Sequence, residues 1–227
     1  MSTSTIKLIE CPRDAMQGLH DYIPVATKVN YINQLLKVNF DTLDMGSFVS
    51  PKSIPQLKDT AQVLSQIDVS NSKSKLLVIV ANKRGAEEAV KYDSINYLGF
   101  PFSISPTFQQ RNINSTIEES LKRLEAVNNL CIKNNKELVT YFSMAFGNPY
   151  NDEWSAEVVA KWADKLVNQY GVKILSMSDT IGTSNPETIQ YIFSELNKNF
   201  KGKGVEIGAH LHTTPDKWEE KIHSAIE

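Results

Sequence analysis

The fold class predicted for this chain is α/β of the TIM (β/α)8 type, and three observations carry it. Short runs rich in β-branched and apolar residues recur seven times, nearly continuously hydrophobic as parallel strands covered on both faces must be. Helical segments with recognisable caps lie between most of them, so strand and helix alternate with the period of a βα unit, about 30–40 residues. No Ser/Gly/Pro-rich linker divides the chain, and neither G-x-G-x-x-G nor G-x-x-x-x-G-K-[ST] occurs, which removes the main nucleotide-binding reasons to prefer a doubly wound open sheet. Residues 1–227 therefore read as a single barrel domain in which seven βα units are visible and the eighth strand and helix are missing.

Taken in order, the first strand is expected at Ile6 to Cys11, running straight into Pro12. Thr42 to Phe48, Lys75 to Ala81 and Ile95 to Ser103 follow, with only a stub of helix fitting around Gly85 to Tyr92. Ser115-x-x-Glu118 has the form of a capping box ahead of Leu121, Leu124, Val127 and Leu130. Leu138 to Ala145 and Val172 to Ser178 are the fifth and sixth strands, and Gly171 stops the helix between them. Ser184 is expected to cap a helix with Pro186 in its first turn and Ile189, Ile192, Phe193 and Leu196 facing inward, ended by Gly202. Val205 to His212 is the seventh strand, and Thr214-Pro215-Asp216 repeats the start signal for a last helix.

Composition narrows the function classes. The 227 residues are 41% hydrophobic, enough to bury one sizeable core, and 24 basic against 26 acidic residues leave a net charge of -2. That balance lacks the broad positive field of non-specific nucleic-acid binding, so small-molecule chemistry is expected and no nucleic acid. Two cysteines, Cys11 and Cys131, are too few for a disulfide framework and point to a reducing, cytoplasmic setting. No signal-peptide core and no apolar run of about 20 residues is present, so no membrane partner is expected.

The most informative pair is His210-Leu211-His212. Side chains alternate along a strand, so the two imidazoles face one side, and at a strand's C-terminal end they point into a barrel's mouth with metal-ligand spacing. Taken alone, such a pair is also what two hydrogen-bonded structural histidines look like. Arg13-Asp14-Ala15-Met16-Gln17 lies at the end of the first strand, and strands one and seven flank the eighth position of a barrel. Asp14 would then share a cavity with His210 and His212, and one carboxylate with two imidazoles leaves open positions on a divalent ion. Arg13 adds a permanent cation suited to a carboxylate or enolate oxygen, the alternative being a solvated Arg-Asp loop pair. Asp44, Ser47, Asn82, Tyr141, Ser143, Asp179 and Thr180 all fall at strand ends, each individually compatible with a turn or packing role. Cys11 reads as a small buried residue rather than a nucleophile.

These residues resemble a known family. Glu10-Cys-Pro-Arg-Asp-Ala-Met-Gln17, Ser47-Phe-Val-Ser-Pro-Lys52, Asn112-Ile-Asn-Ser-Thr-Ile-Glu-Glu-Ser120, Gly147-Asn-Pro-Tyr150, Ser178-Asp-Thr-Ile-Gly182 and His210-Leu-His212 are similar, in the same order, to segments of 3-hydroxy-3-methylglutaryl-CoA lyase. R-D-x-x-Q and H-x-H belong to a wider superfamily of metal-dependent TIM-barrel lyases and Claisen synthases, whereas S-F-V-S-P-K is more specific to the lyases. The resemblance implies Mg2+ or Mn2+ on Asp14, His210 and His212, with Arg13 at the enolate oxygen. It further implies Asp44, Tyr141 and Asp179 lining the site, with Gln17, Ser47, Asn82, Ser143 and Thr180 near an acyl-CoA substrate. The implied reaction is retro-Claisen cleavage to acetyl-CoA and acetoacetate, as in leucine breakdown, by a homodimer.

Three departures accompany it. The family has glutamate where this chain has Asp44, and many members have cysteines around the stretch that here reads Ser143-Met-Ala-Phe-Gly-Asn148. The family's eighth strand, its Gly-rich loop with a cysteine and an asparagine ligand have no counterpart before Glu227, so a C-terminally truncated barrel is expected. A Claisen synthase of the same superfamily and an inactive truncated barrel are the alternatives. An iron oxygenase is disfavoured by the α/β alternation, and a barrel hydrolase by the H-x-H closing the chain rather than opening it.

Overall fold

A computed structural model describes residues 6–226. These fall into two compact units, one within Met1–Gly99 plus Leu130–Glu137, the other within Phe100–Asn129 plus Leu138–Glu227.

The first unit runs β1 (Ile9–Glu10), α1 (Pro12–Gln17), α2 (Val25–Val38), β2 (Thr42–Ser47), a 3-10 turn (Pro55–Leu57), α3 (Thr60–Leu64), β3 (Lys75–Ile79), α4 (Lys83–Ala89) and the start of β4 (Ile95–Ser103). Its strands pair in parallel, β1 with β2, β2 with β3 and β3 with β4. Leu43, Met45, Leu76, Leu77, Val78 and Leu98 from the strands and Ile32 and Leu36 from α2 form its core. Every residue of β2 is buried, and the β2–β3 register slips between Asp44 and Gly46. At Gly46 a Cβ would lie 2.5 Å from Thr60 Cγ2, so only glycine lets the start of α3 pack this closely while Thr60 Oγ1 accepts the Ser47 amide at 3.0 Å.

The second unit contains the rest of β4, then α5 (Pro106–Ile113), most of α6 (Ile117–Lys133), β5 (Glu137–Ser143), α7 (Ala156–Tyr170), β6 (Ile174–Asp179), α8 (Pro186–Phe200), β7 (Glu206–Leu211) and α9 (Trp218–Ile226). Ser103 Oγ donates to the Ser143 carbonyl at 3.2 Å, so the end of β4 lies beside β5, and β5, β6 and β7 pair in parallel in that order. Phe102 and Phe142 meet at 5.6 Å between ring centroids, and α7 and α8 contribute Val159, Ala163, Leu166, Ile189, Ile192 and Leu196 to this core. Strand order thus follows sequence order and the strands are followed by helices, which is barrel connectivity.

Local expectations fail in five places. The first strand shrinks to Ile9–Glu10 because Pro12 occupies the first turn of α1 and Cys11 O already accepts the amides of Asp14 and Ala15, so the R-D-x-x-Q run is helical rather than loop. The capping box ahead of α6 is Thr116 with Glu119, one residue later than expected, with both reciprocal bonds present at 3.0 and 3.2 Å. Asn185, not Ser184, caps α8, because Ser184 is drawn to Asp179. The last helix begins at Trp218 rather than at Thr214-Pro215-Asp216. The seventh strand is not the buried strand expected, since among the described residues β7 pairs only with β6 and leaves Glu206, Gly208 and Ala209 exposed.

Candidate functional site

In the first unit the site is built around Arg13. Helical spacing puts Arg13 and Gln17 on one face of α1, and Nη1 donates to Gln17 Oε1 at 3.2 Å and to Asp14 Oδ1 at 2.6 Å. The other side of the same guanidinium meets Asp44 on β2: Nε reaches both carboxylate oxygens at 3.2 and 3.1 Å, and Nη2 reaches Oδ2 at 2.5 Å. Arg13 is 7% exposed and Asp44 fully buried, so a planar fork is fixed between two carboxylates with little freedom to turn. The aspartate, though one methylene shorter than the glutamate of the resemblance, reaches the arginine directly. Asp14 is more open, with a side chain 29% exposed.

Cys11, the residue before α1, has its thiol pushed up to about 12, first by burial and then by the nearby Asp44 carboxylate. It therefore stays neutral at physiological pH, which removes it as a nucleophile. Ser47 and Asn82 line one cavity of about 190 Å³ together with Lys58 and Arg84. Their polar atoms also hold backbone: Ser47 Oγ donates to Ile79 O and accepts from Val49 N, and Asn82 Oδ1 accepts the Gly85 amide as the N-cap of α4.

In the second unit His210, at the end of β7, and His212, just beyond it, place their Nε2 atoms 3.3 Å apart. Two nitrogens about 2.1 Å from one ion and about 90–110° apart are separated by about 3.0–3.4 Å, so this pair fits adjacent positions on one divalent cation. Tyr141 on β5 meets the His210 ring edge-on at 5.6 Å. Ser143 ends β5, and Thr180 Oγ1 accepts the Met144 amide at 2.9 Å, fixing the turn after that strand. Asp179 is 1% exposed, and its carboxylate takes the Ser184 amide at 3.1 Å, Ser184 Oγ at 2.5 Å and Lys221 Nζ at 2.9 Å.

The structure thus gathers Arg13, Asp14, Gln17 and Asp44 into one cluster, Ser47 and Asn82 into a second, and Tyr141, His210 and His212 into a third. Asp179 is tied to a residue that sequence reasoning missed. Lys221 carries no sequence signal, because a lysine in Trp218-Glu-Glu-Lys-Ile reads as part of a solvated helix face.

The family model described as HMGL-like matches residues 6–215. The chain is 34% identical to hydroxymethylglutaryl-CoA lyase YngG of Bacillus subtilis over 89% of this chain and 66% of that protein. It is 28% identical to the rat cytoplasmic 3-hydroxy-3-methylglutaryl-CoA lyase over 98% of this chain and 64% of that one. The chain therefore spans just under two thirds of the length of these relatives. Among solved structures, the B. subtilis HMG-CoA lyase superposes with a TM-score of 0.89 at 32% identity, covering 96% of this chain and 72% of that chain. An Acinetobacter baumannii HMG-CoA lyase, solved with coenzyme A and 3-methylmalate, gives 0.87 at 25% identity, covering 96% and 70%. The seven βα units are those of this TIM-barrel fold.

Proposed function

This chain belongs to the HMGL-like family, and on that premise we propose that it is the catalytic domain of a carbon-carbon lyase that splits 3-hydroxy-3-methylglutaryl-CoA into acetyl-CoA and acetoacetate. By the resemblance, Asp14, His210 and His212 would hold Mg2+ or Mn2+ through one carboxylate oxygen and two imidazole nitrogens. When bound, the ion supplies Lewis-acid polarisation that lowers the pKa of the substrate's C3 hydroxyl. Transfer of that proton to a base and cleavage of the C2–C3 bond turn C3 into the ketone of acetoacetate, and the bonding pair passes into the thioester as an enolate. Arg13, aimed by Asp44 and Asp14, stabilises the enolate oxygen as charge develops there, and protonation at C2 yields acetyl-CoA. Tyr141 and Asp179 line the reacting centre. Gln17, Ser47, Asn82, Ser143 and Thr180 contact the acyl-CoA.

A cavity of about 190 Å³ beside Ser47 and Asn82 is smaller than the about 300–1,000 Å³ of a whole small-molecule site, so it receives one portion of the substrate, with Lys58 and Arg84 suited to an anionic part. The reading extends to a cytoplasmic homodimer serving leucine breakdown. Among the described residues no helix is long and apolar enough to cross a membrane. The observation that carries the mechanism is the pair of histidine Nε2 atoms 3.3 Å apart. Incubated with Mn2+ and 3-hydroxy-3-methylglutaryl-CoA, the protein is expected to release acetoacetate and acetyl-CoA in equal amounts. A Mn2+-loaded protein that leaves the thioester intact contradicts the assignment.

A further inference from the structure

We propose that Lys221 is a positioning residue for His212, an inference that rests on the metal site of the preceding section. Helix α9 has an inverted pattern of burial. It exposes Trp218, Ile222 and Ile226, yet Lys221 is only 2% exposed. A lysine ammonium has three donors, and here each finds an acceptor: Asp179 Oδ2 at 2.9 Å, the His212 carbonyl at 2.8 Å and the Gly182 carbonyl at 3.3 Å. Asp179 is itself held by Ser184 through two further bonds. One buried cation thus ties together the end of β6, the turn after it and the residue after β7.

Among the described residues the β6–β7 ladder ends with Asp179 opposite Leu211, one residue before the histidine. Lys221 takes over where the ladder stops. Gly182 approaches from the other side: its φ of +71° is a conformation side chains disfavour, and a Cβ there would lie 3.9 Å from both Cβ and the carbonyl oxygen of His212. With its backbone gripped at the carbonyl and covered by this turn, His212 directs Nε2 toward Nε2 of His210. Groups that orient a ligand in this indirect way typically change metal affinity by about 10–100-fold when removed.

The test is Mn2+ affinity by titration calorimetry on the full 227-residue chain, each variant first shown to be folded by circular dichroism and a cooperative thermal melt. The double variant Asp179→Asn/Lys221→Met removes the tie without stranding a buried charge. It is expected to bind Mn2+ on the order of 10- to 100-fold more weakly. Lys221→Gln, which keeps a polar head but cannot donate to three acceptors at once, is expected to weaken binding in the same direction and decides the matter if the double variant does not fold. Lys28→Met, which strands the buried Asp59 carboxylate far along the chain from the histidines, serves as a control for loss of stability alone and is expected to leave the affinity unchanged. Affinity within two-fold of the parent in a folded double variant, or in Lys221→Gln, overturns the role of Lys221 while His212→Ala still abolishes binding. If His212→Ala also leaves binding unchanged, the metal-site reading fails and this inference fails with it.

Discussion

Lys28 donates to both carboxylate oxygens of Asp59, at 2.8 and 2.9 Å, and to the Gln56 carbonyl, so a helix and the turn before α3 are joined by an ammonium only 2% exposed. Tyr22 adds its hydroxyl to Asp59 Oδ2 at 2.6 Å. Lys28→Met strands the aspartate in the interior, and urea denaturation is expected to show a loss of about 3–5 kcal/mol. Lys28→Met/Asp59→Leu, which leaves no ion behind, is expected to recover most of that loss. A single variant as stable as the parent contradicts the pairing.

The Arg13 fork makes a different demand. A lysine carries the same charge but cannot span Asp44 and Asp14 with fixed planar geometry. Arg13→Lys is expected to lower kcat for acetoacetate release by about 10²–10³-fold, the scale of losing one preorganised donor to a developing oxyanion, with KM little changed. Steady-state kinetics at saturating Mn2+ checks this, and an unchanged kcat rules out an enolate-stabilising arginine.

Burial pushes the thiols of Cys11 and Cys131 up from 9.0 to about 12. A raised folded pKa favours the protonated form in the native state, so this stabilisation is whole below the unfolded value near 9 and is lost as pH rises from there toward 12. Urea midpoints of the parent and of Cys11→Ala/Cys131→Ala are therefore expected to run parallel below pH 9, with the parent falling more steeply above it. Parallel profiles throughout contradict the burial effect.

At the start of α8 the two adjacent polar residues have separate tasks. Asn185 accepts the Thr188 amide at 2.9 Å as the cap, whereas Ser184 binds the buried Asp179. Asn185→Ala is expected to cost about 1 kcal/mol in thermal or urea denaturation, the usual worth of an N-cap. Ser184→Ala is expected to cost more, since it removes a charge-assisted bond from a carboxylate that has no access to water. The reverse order sinks this division of labour.

That same pair shows what the sequence discloses and what it conceals. Strands such as Lys75–Ile79 are legible because a run of aliphatic residues has few other uses, and Gly171 is legible because its backbone at φ +67° closes α7 as the sequence position requires. Which of two neighbouring residues caps a helix is settled by tertiary demand, as when Asp179 claims Ser184. The candidate site divides likewise. His210, His212 and the Arg13–Gln17 contact follow from periodicity over two to four residues. Arg13 with Asp44, separated by 31 positions, and Asp179 with Lys221, separated by 42, depend on chain folding that local pattern does not encode.

The metal site is tested by one titration, Mn2+ into the 227-residue chain and its His212→Ala variant by calorimetry. Binding of a single ion per chain, lost in the variant while its thermal melt stays cooperative, is the predicted result. Mn2+ binding by His212→Ala with the parent's stoichiometry and affinity would contradict it.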